Sequence, residues 1–239
     1  MRRAIVTGGS NGIGLAVVRS LLAGGAAVVS LDRAPNPLAH PDLRGIAVDL
    51  ADEAATLAAA RQAVADGPVT MLVHNAGAIR PALLADARAE DLAALTRLHL
   101  SAALLLAQAT LPGMRAARFG RIVLVSSRAA LGLATRGAYA ATKAALIGLA
   151  RTWALELGPD GITVNAVAPG PIETDMFHQI LPPGDARIAA LTASIPVRRL
   201  GQPEDVARAV AFLLDPASGF ITGQTLFVCG GTSIGGLSL

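Results

Sequence analysis

The first twenty-two residues restrict the fold more than any other part of the chain. Arg3 to Thr7 is an apolar run of strand length. It passes into Thr7-Gly8-Gly9-Ser10-Asn11-Gly12-Ile13-Gly14 and then into Leu15 to Leu22, an apolar helix pattern. A strand feeding a helix through such a turn opens a parallel α/β unit. Glycines at 8, 12 and 14 allow a tight turn, let backbone amides approach a pyrophosphate and let the helix pack on the strand. The helix N-terminus then turns the positive end of its dipole to the phosphates. The spacing is G-x-x-x-G-x-G, not the G-x-G-x-x-G of the commoner dinucleotide fingerprint. Gly8, Ser10, Asn11, Gly12, Ile13 and Gly14 are therefore candidate cofactor contacts.

The next strand, Ala26 to Leu31, ends in Asp32. A carboxylate there can take both hydroxyls of an adenosine ribose and would repel a 2′-phosphate, which favours NAD over NADP. The lesser reading is a capping residue after a strand. Arg33 pulls the other way, because an arginine at this point can hold the phosphate, but Ser10 and Asn11 supply no second basic group.

Strand and helix patterns then alternate. Gly45 to Val48 reads as a third strand, with Asp49 and Leu50 placed to flank an adenine. Asp52 caps a helix to about Ala65. Val69 to Val73 is a fourth strand, closed by His74-Asn75-Ala76-Gly77. Asn75 is placed to pin neighbouring strand ends, and Gly77 to let a cofactor pass closely. A long helix from about Ala89 to Ala117 is expected to bend near Pro112-Gly113. Further strands are expected at Gly120 to Ser126, Ile162 to Ala168 and Thr225 to Val228, with helices from Gly137 to about Leu157 and from Pro203 to Leu214. The alternation predicts a doubly wound parallel sheet. The proline-rich stretch from about 170 to 202 follows a strand end and reads as a substrate lid, with Met176 and Phe177 as candidate substrate contacts.

Composition removes several function classes. The chain has 239 residues, one α/β domain or two small ones, and is 53% hydrophobic. No uninterrupted apolar run approaches the ~18 residues of a membrane span. The start runs straight into a strand, with no signal-peptide pattern. The single cysteine, Cys229, excludes an internal disulfide and a cysteine-based zinc site. His40 and His178 have no metal-ligand spacing, so no metal is expected. The net charge is +3, but the arginines are dispersed and aromatics are only 3%, which argues against nucleic-acid binding. A cytoplasmic protein is the expectation.

The chemistry concentrates between Ser127 and Lys143. Tyr139 is the only tyrosine and Lys143 the only lysine, and they lie four residues apart in an Ala-rich helix. Positions i and i+4 share a helix face. An ammonium there favours the phenolate and lowers the phenol from its ordinary ~10. That would make a general acid/base. Ser127, after a buried strand, could hydrogen-bond a substrate oxygen beside it.

In this order and spacing, Thr7-Gly8-x-x-x-Gly12-Ile13-Gly14, Asp49, Asn75-Ala76-Gly77, Ser127, Tyr139-x-x-x-Lys143, Asn165 and Pro169-Gly170 resemble the short-chain dehydrogenase/reductase family over essentially the whole chain. The resemblance implies a Rossmann-type sheet of seven parallel strands with helices on both faces, in a single domain. Residues 1–120 would hold the cofactor and 121–239 the substrate. It implies hydride transfer between a nicotinamide and a secondary alcohol or ketone, with Tyr139 as proton donor or acceptor and Ser127 orienting the substrate. Lys143 would lower the tyrosine and bind the nicotinamide ribose. Pro169, Gly170, Ile172 and Thr174 would line the cofactor, the last two at its carboxamide. The family expectation is a homotetramer or homodimer built on the long helix and the Tyr139 helix, including Leu104 to Leu106 and Leu146 to Leu149. His99 stands at the usual asparagine of the long helix, where the resemblance implies a kink and a water that connects the lysine to solvent. It is either drift or a member of the proton relay, since imidazole titrates near neutrality. His74, where asparagine is common, reads as a tolerated substitution. Two other functions remain: an NADP-dependent 3-oxoacyl-carrier-protein reductase, and a catalytically silent NAD-binding sensor or scaffold.

Overall fold

A computed structural model describes residues 2–234. Seven strands are present: β1 (Arg3–Thr7), β2 (Ala27–Asp32), β3 (Leu43–Ala47), β4 (Met71–His74), β5 (Gly120–Val125), β6 (Ile162–Pro169) and β7 (Thr225–Val228). They form one parallel sheet in the order β3-β2-β1-β4-β5-β6-β7. The chain leaves β1 toward β2 and β3, then returns to the other side of β1 through β4. The strand order reverses between β1 and β4, which opens a crevice at their carboxyl ends.

Side-chain alternation along each strand supplies two cores. Ile5, Leu72, Ile122, Leu124 and Val164 face α2 (Glu53–Ala65), α4 (Ala102–Ala117) and α5 (Gly137–Leu157). Ala4, Val6, Met71, Val73, Val123 and Val167 face α1 (Gly12–Ala23) and α8 (Pro203–Leu214). Both faces of the central strands are covered, so they read as continuous apolar runs. Between β6 and α8 the chain forms two short helices, α6 (Asp175–His178) and α7 (Arg187–Ser194), within the stretch expected to form a substrate lid.

The long helix departs from expectation. It is continuous through Pro112, and its irregularity lies earlier, in a π turn at Arg97–Ser101 between α3 (Ala89–Thr96) and α4. Gly113 serves close packing rather than a bend: a Cβ there would lie 3.2 Å from Pro68 Cβ and 3.3 Å from its Cα. The whole stretch Ala89–Ala117 is long and apolar enough to cross a bilayer by length and composition. Leu95, Leu106 and Met114 are nevertheless fully buried, and α4 packs on α2, β4 and β5, so it is a core helix.

Leu106 and Leu146, expected on an assembly face, also point into the core; Leu104 and Leu155 are the exposed leucines of α4 and α5. Trp153 is core and Cys229 is buried. Of the apolar C-terminal stretch expected to pack at a contact or beside the site, 235–239 lie outside the described residues.

Candidate active site

A cavity of about 680 Å³ runs along the carboxyl ends of the strands, across the β1/β4 crevice. At its first end the glycine turn is built as the spacing requires. Gly8 and Gly12 take positive φ, +63° and +48°, which a side chain would strain. A Cβ on Gly14 would stand 1.9 Å from the Gly8 carbonyl oxygen and 2.6 Å from Asn75 Nδ2, so α1 can approach β1 only with glycine there. Asn11 caps α1 without a side-chain bond, and no acid lies in the first turn. The first amides of α1 therefore remain available to an anion.

Asp32 sits at the mouth of this end. Its Oδ2 accepts from the Ser10 amide at 3.0 Å and its Oδ1 from the Ala34 amide at 3.2 Å. Each oxygen keeps a lone pair for a ribose hydroxyl. Arg33, Asp49 and Leu50 line the same wall. Asn75 donates through Nδ2 to the carbonyls of Thr7 and Gly8, both at 3.1 Å, and so pins β4 to β1. Ala76, Gly77, Pro169, Gly170, Ile172 and Thr174 line the floor and far wall. Thr174 lies over Gly12, where a Cβ would come within 3.2 Å of it. The crevice, the free amides and the paired ribose acceptor fit a dinucleotide.

The other end holds the chemistry. Ser126 and Ser127 part ways at the end of β5. Ser126 Oγ donates to the Lys143 carbonyl at 2.7 Å and is buried, while Ser127 lines the cavity and accepts from the Ala129 amide at 3.1 Å. Tyr139 and Lys143 share one face of α5, with the Lys143 Nζ 5.7 Å from the Tyr139 ring centroid. The expected lowering of the phenol is not what this packing produces. Tyr139 keeps some exposed surface, yet it is crowded closely enough that loss of hydration dominates and raises its pKa. The Ser127 hydroxyl and the Arg136 charge pull it down more weakly. Lys143 turns its charge to the backbone. Its Nζ donates to the Val125 carbonyl at 2.7 Å, and burial lowers its own pKa to about 7.

His99 projects from the π turn edge-on to Tyr139, the ring centroids 5.8 Å apart. Both nitrogens are engaged. Nε2 accepts from the Ala78 amide at 3.2 Å, which places the proton on Nδ1, 2.8 Å from Thr142 Oγ1. Thr142 donates in turn to the Ala138 or Tyr139 carbonyl. Burial, Lys143 and His74 push the imidazole down to about 2. The near-neutral titration on which a relay role was argued is absent: His99 is a fixed neutral link between the β4 loop and α5. His74 is fully buried at the end of β4 and lowered to about 3, first by burial and then by Lys143. Thr7 Oγ1 accepts the amides of Asn75 and Ala76, both at 2.9 Å, so its own proton is left for His74 Nδ1 at 3.2 Å.

Thr142 and Arg128 belong to the site, and sequence reasoning did not single them out; Arg136 closes the loop Leu131 to Arg136, which was expected to carry specificity. Thr7 opens the glycine-turn motif, but its role in tying β1 to the loop after β4 has no sequence signal. Thr142 carries no local signal, since its partner is 43 residues away. His178 pairs with Glu173 at 3.6 Å and His40 lies beside Asp42, both away from Tyr139. Among the described residues no three His, Cys, Asp or Glu side chains converge as a metal site.

A family profile described as enoyl-(acyl carrier protein) reductase matches residues 8–233. A solved short chain dehydrogenase/reductase family protein superposes with a TM-score of 0.88 at 36% identity, covering 97% of both chains. The chain belongs to the short-chain dehydrogenase/reductase family. Its relatives in that family include the (2S)-[(R)-hydroxy(phenyl)methyl]succinyl-CoA dehydrogenase subunit BbsD of Thauera aromatica, 37% identical over 98% of this chain and 97% of that one. They also include the 3-oxoacyl-[acyl-carrier-protein] reductase FabG of Vibrio cholerae, 38% identical over 95% and 96%. A structure assigned as an NAD(P)-dependent gluconate 5-dehydrogenase of Beutenbergia cavernae, with NADP at low occupancy, superposes with a TM-score of 0.90 at 34% identity over 96% of each chain. This short-chain dehydrogenase/reductase is accordingly an NAD(P)-dependent oxidoreductase acting on CH-OH or keto groups.

Proposed function

We propose that this cytoplasmic enzyme prefers NAD and interconverts a secondary alcohol and its ketone, with Tyr139 as general acid/base. The observation that carries the reading is that Tyr139, Ser127, Lys143 and the glycine turn open onto one cavity. A nicotinamide bound there supplies the hydride acceptor or donor. Ser127 Oγ and the Tyr139 hydroxyl hold the substrate oxygen, and Tyr139 gives it a proton in reduction or takes one in oxidation. Lys143 holds the nicotinamide ribose, and Ile172 and Thr174 hold the carboxamide. Asp32 takes the adenosine ribose hydroxyls. The working molecule is a homotetramer or homodimer.

A second reading is an NADP-dependent 3-oxoacyl-carrier-protein reductase. The names of the FabG relatives and the NADP in the gluconate dehydrogenase structure favour it, as does the exposed Arg33 on the cavity wall. The deciding experiment is nicotinamide absorbance with NAD and NADP in parallel over secondary alcohols, diols and ketones. NAD-dependent turnover that drops by about 10²–10⁴-fold in Tyr139→Phe is the expected result. A clear NADP preference would establish the second reading, and undiminished turnover in Tyr139→Phe would overturn both.

A further inference from the structure

Three arginines line the catalytic end of the cavity: Arg80 after β4, Arg128 directly after Ser127, and Arg136 at the entrance to α5. Arg80 has Asp91 at 3.8 Å. Arg128 and Arg136 form no ion pair among the described residues, although both are half-buried. The acids that line the cavity do not answer them. Asp32 and Asp49 belong to the adenosine end, and Asp175 follows Thr174, which lies over Gly12.

Arg136 is also held in place by its surroundings. It precedes Tyr139 by three residues, one turn of α5, and its charge is felt by the phenol. Its Nη1 donates to Thr135 Oγ1 at 2.5 Å and to the Thr135 carbonyl at 3.4 Å. The Ala82 amide donates to that same carbonyl at 3.0 Å, and a parallel bridge joins Ala82 to Arg136. Thr135 adopts φ +65°, a left-handed conformation that a β-branched residue resists. Strain of this kind persists where surrounding contacts over-determine it, and it collects at ligand clamps. The Nε–H and Nη2–H edge of Arg136 makes no hydrogen bond among the described residues. That edge is the planar fork that takes a carboxylate through two parallel bonds. Leu98, Leu133, Met176 and Phe177 give this end apolar wall, with Gln179 as a polar neighbour.

We propose that Arg136, assisted by Arg128, forms a carboxylate-binding subsite, and that the substrate is a hydroxy or oxo acid with an apolar body. The inference rests on the dehydrogenase/reductase reading above, because the tyrosine one turn away sets the reacting carbon only a few bonds from the carboxylate.

The test is equilibrium binding to the NADH complex, followed by nicotinamide fluorescence, which needs no turnover. The probes are 3-hydroxybutyrate, 3-hydroxyhexanoate and 3-hydroxy-3-phenylpropanoate, each against its primary amide, and acetoacetyl-CoA against its N-acetylcysteamine thioester. The acids are expected to bind at least about tenfold tighter than the amides, the order of a charge-assisted hydrogen bond. That ratio collapses to near one in Arg136→Gln, shrinks in Arg128→Gln and is partly restored in Arg136→Lys. NADH affinity and thermal midpoint of each variant report its folding. Equal or undetectable binding of acids and amides by the wild type would overturn the subsite. So would a preference that survives in the Arg136→Gln/Arg128→Gln double variant. Discrimination only between the CoA and N-acetylcysteamine thioesters would mean that the arginines meet a carrier phosphate, which also overturns it. Acids bound in this way but not oxidised when NAD or NADP replaces NADH would instead overturn the alcohol–ketone reading for these acids and leave the subsite standing.

Discussion

Lys143 and Tyr139 lie on one helix face, and burial drives each toward its neutral form: the ammonium to about 7, the phenol above its usual range. The consequence for catalysis depends on direction. Ketone reduction needs a proton on the phenol, and the raised pKa keeps it there through neutral pH. Alcohol oxidation needs the phenolate, which fills only as pH climbs. We expect kcat/KM for oxidation to rise by about tenfold per pH unit from pH 7 to 9 while reduction stays flat, as initial rates in both directions would show. An oxidation limb already level at pH 7 would mean that the bound cofactor lets Lys143 act on the phenol after all. The two buried histidines make a separate prediction about stability. His74 titrates at about 3 and His99 at about 2 in the fold, against an ordinary imidazole near ~6.5. The unfolded chain therefore binds more protons below ~6.5, so their contribution is complete above that pH and is lost as pH falls beneath it. Up to about 2 kcal/mol per histidine should disappear between pH 7 and 5. Urea unfolding at pH 7, 6 and 5 measures it, and His74→Asn or His99→Asn should flatten the slope.

Two glycine-to-alanine changes in helices should have opposite signs because their surroundings differ. Gly14→Ala drives a methyl into the Gly8 carbonyl at 1.9 Å, so α1 must move off β1. Calorimetric titration should find NAD and NADP binding lost, with the thermal midpoint lowered. Gly148 is exposed in α5, and a Cβ there meets nothing within 4 Å. Within one chain alanine stabilises this helix by about 0.5–1 kcal/mol and raises the midpoint by a few degrees, whereas a lowered midpoint would mean that a second copy packs on the face Gly148 shares with Leu155. The contrast also shows what could be read from the sequence. The glycine turn, the caps and the strand alternation are local patterns, and they placed every strand, and the helices outside the lid, to within a few residues. The Ser127 reading was available for the same reason, since it needs only a strand end and the loop after it. The π turn was not legible in the local pattern, and only the family resemblance puts a kink at the asparagine position that His99 occupies. A proline beside a glycine draws attention to 112–113, but the irregularity is fixed where His99 reaches Ala78 and Thr142, 21 and 43 residues away. The direction of the tyrosine shift was hidden as well. Spacing shows that a lysine is near, but not that its Nζ is held by Val125 or that the phenol is crowded out of water.

The whole molecule places its polar work at one edge and leaves apolar surface elsewhere. The carboxyl ends of the strands carry the cavity, and among the other surfaces that expose large apolar side chains two lie on a helix face and a sheet edge. One is the outer face of α4 and α5, with Leu104 at 42% and Leu155 at 82% exposure. The other is the β7 edge with its flanking helix, where Phe212, Phe220 and Leu226 are exposed. Among the described residues β7 pairs on its β6 side alone, which leaves the backbone groups of its other edge unpaired there. Closed assemblies with twofold symmetry use self-complementary patches, and a tetramer of dihedral symmetry needs two different ones. Two separate apolar regions meet that requirement; one alone would stop at a dimer. The patches can be broken independently, because neither lines the cavity. Leu155→Glu should remove the helix-face contact, and Leu226→Glu the sheet-edge contact. Light scattering on each variant is expected to give half the wild-type mass, and the double variant a monomer. If Leu155→Glu alone already yields a monomer, the sheet edge makes no contact and the particle is a dimer on the α4/α5 face. A wild-type monomer would show that these leucines and phenylalanines are ordinary exposed surface and that the assembly expectation fails.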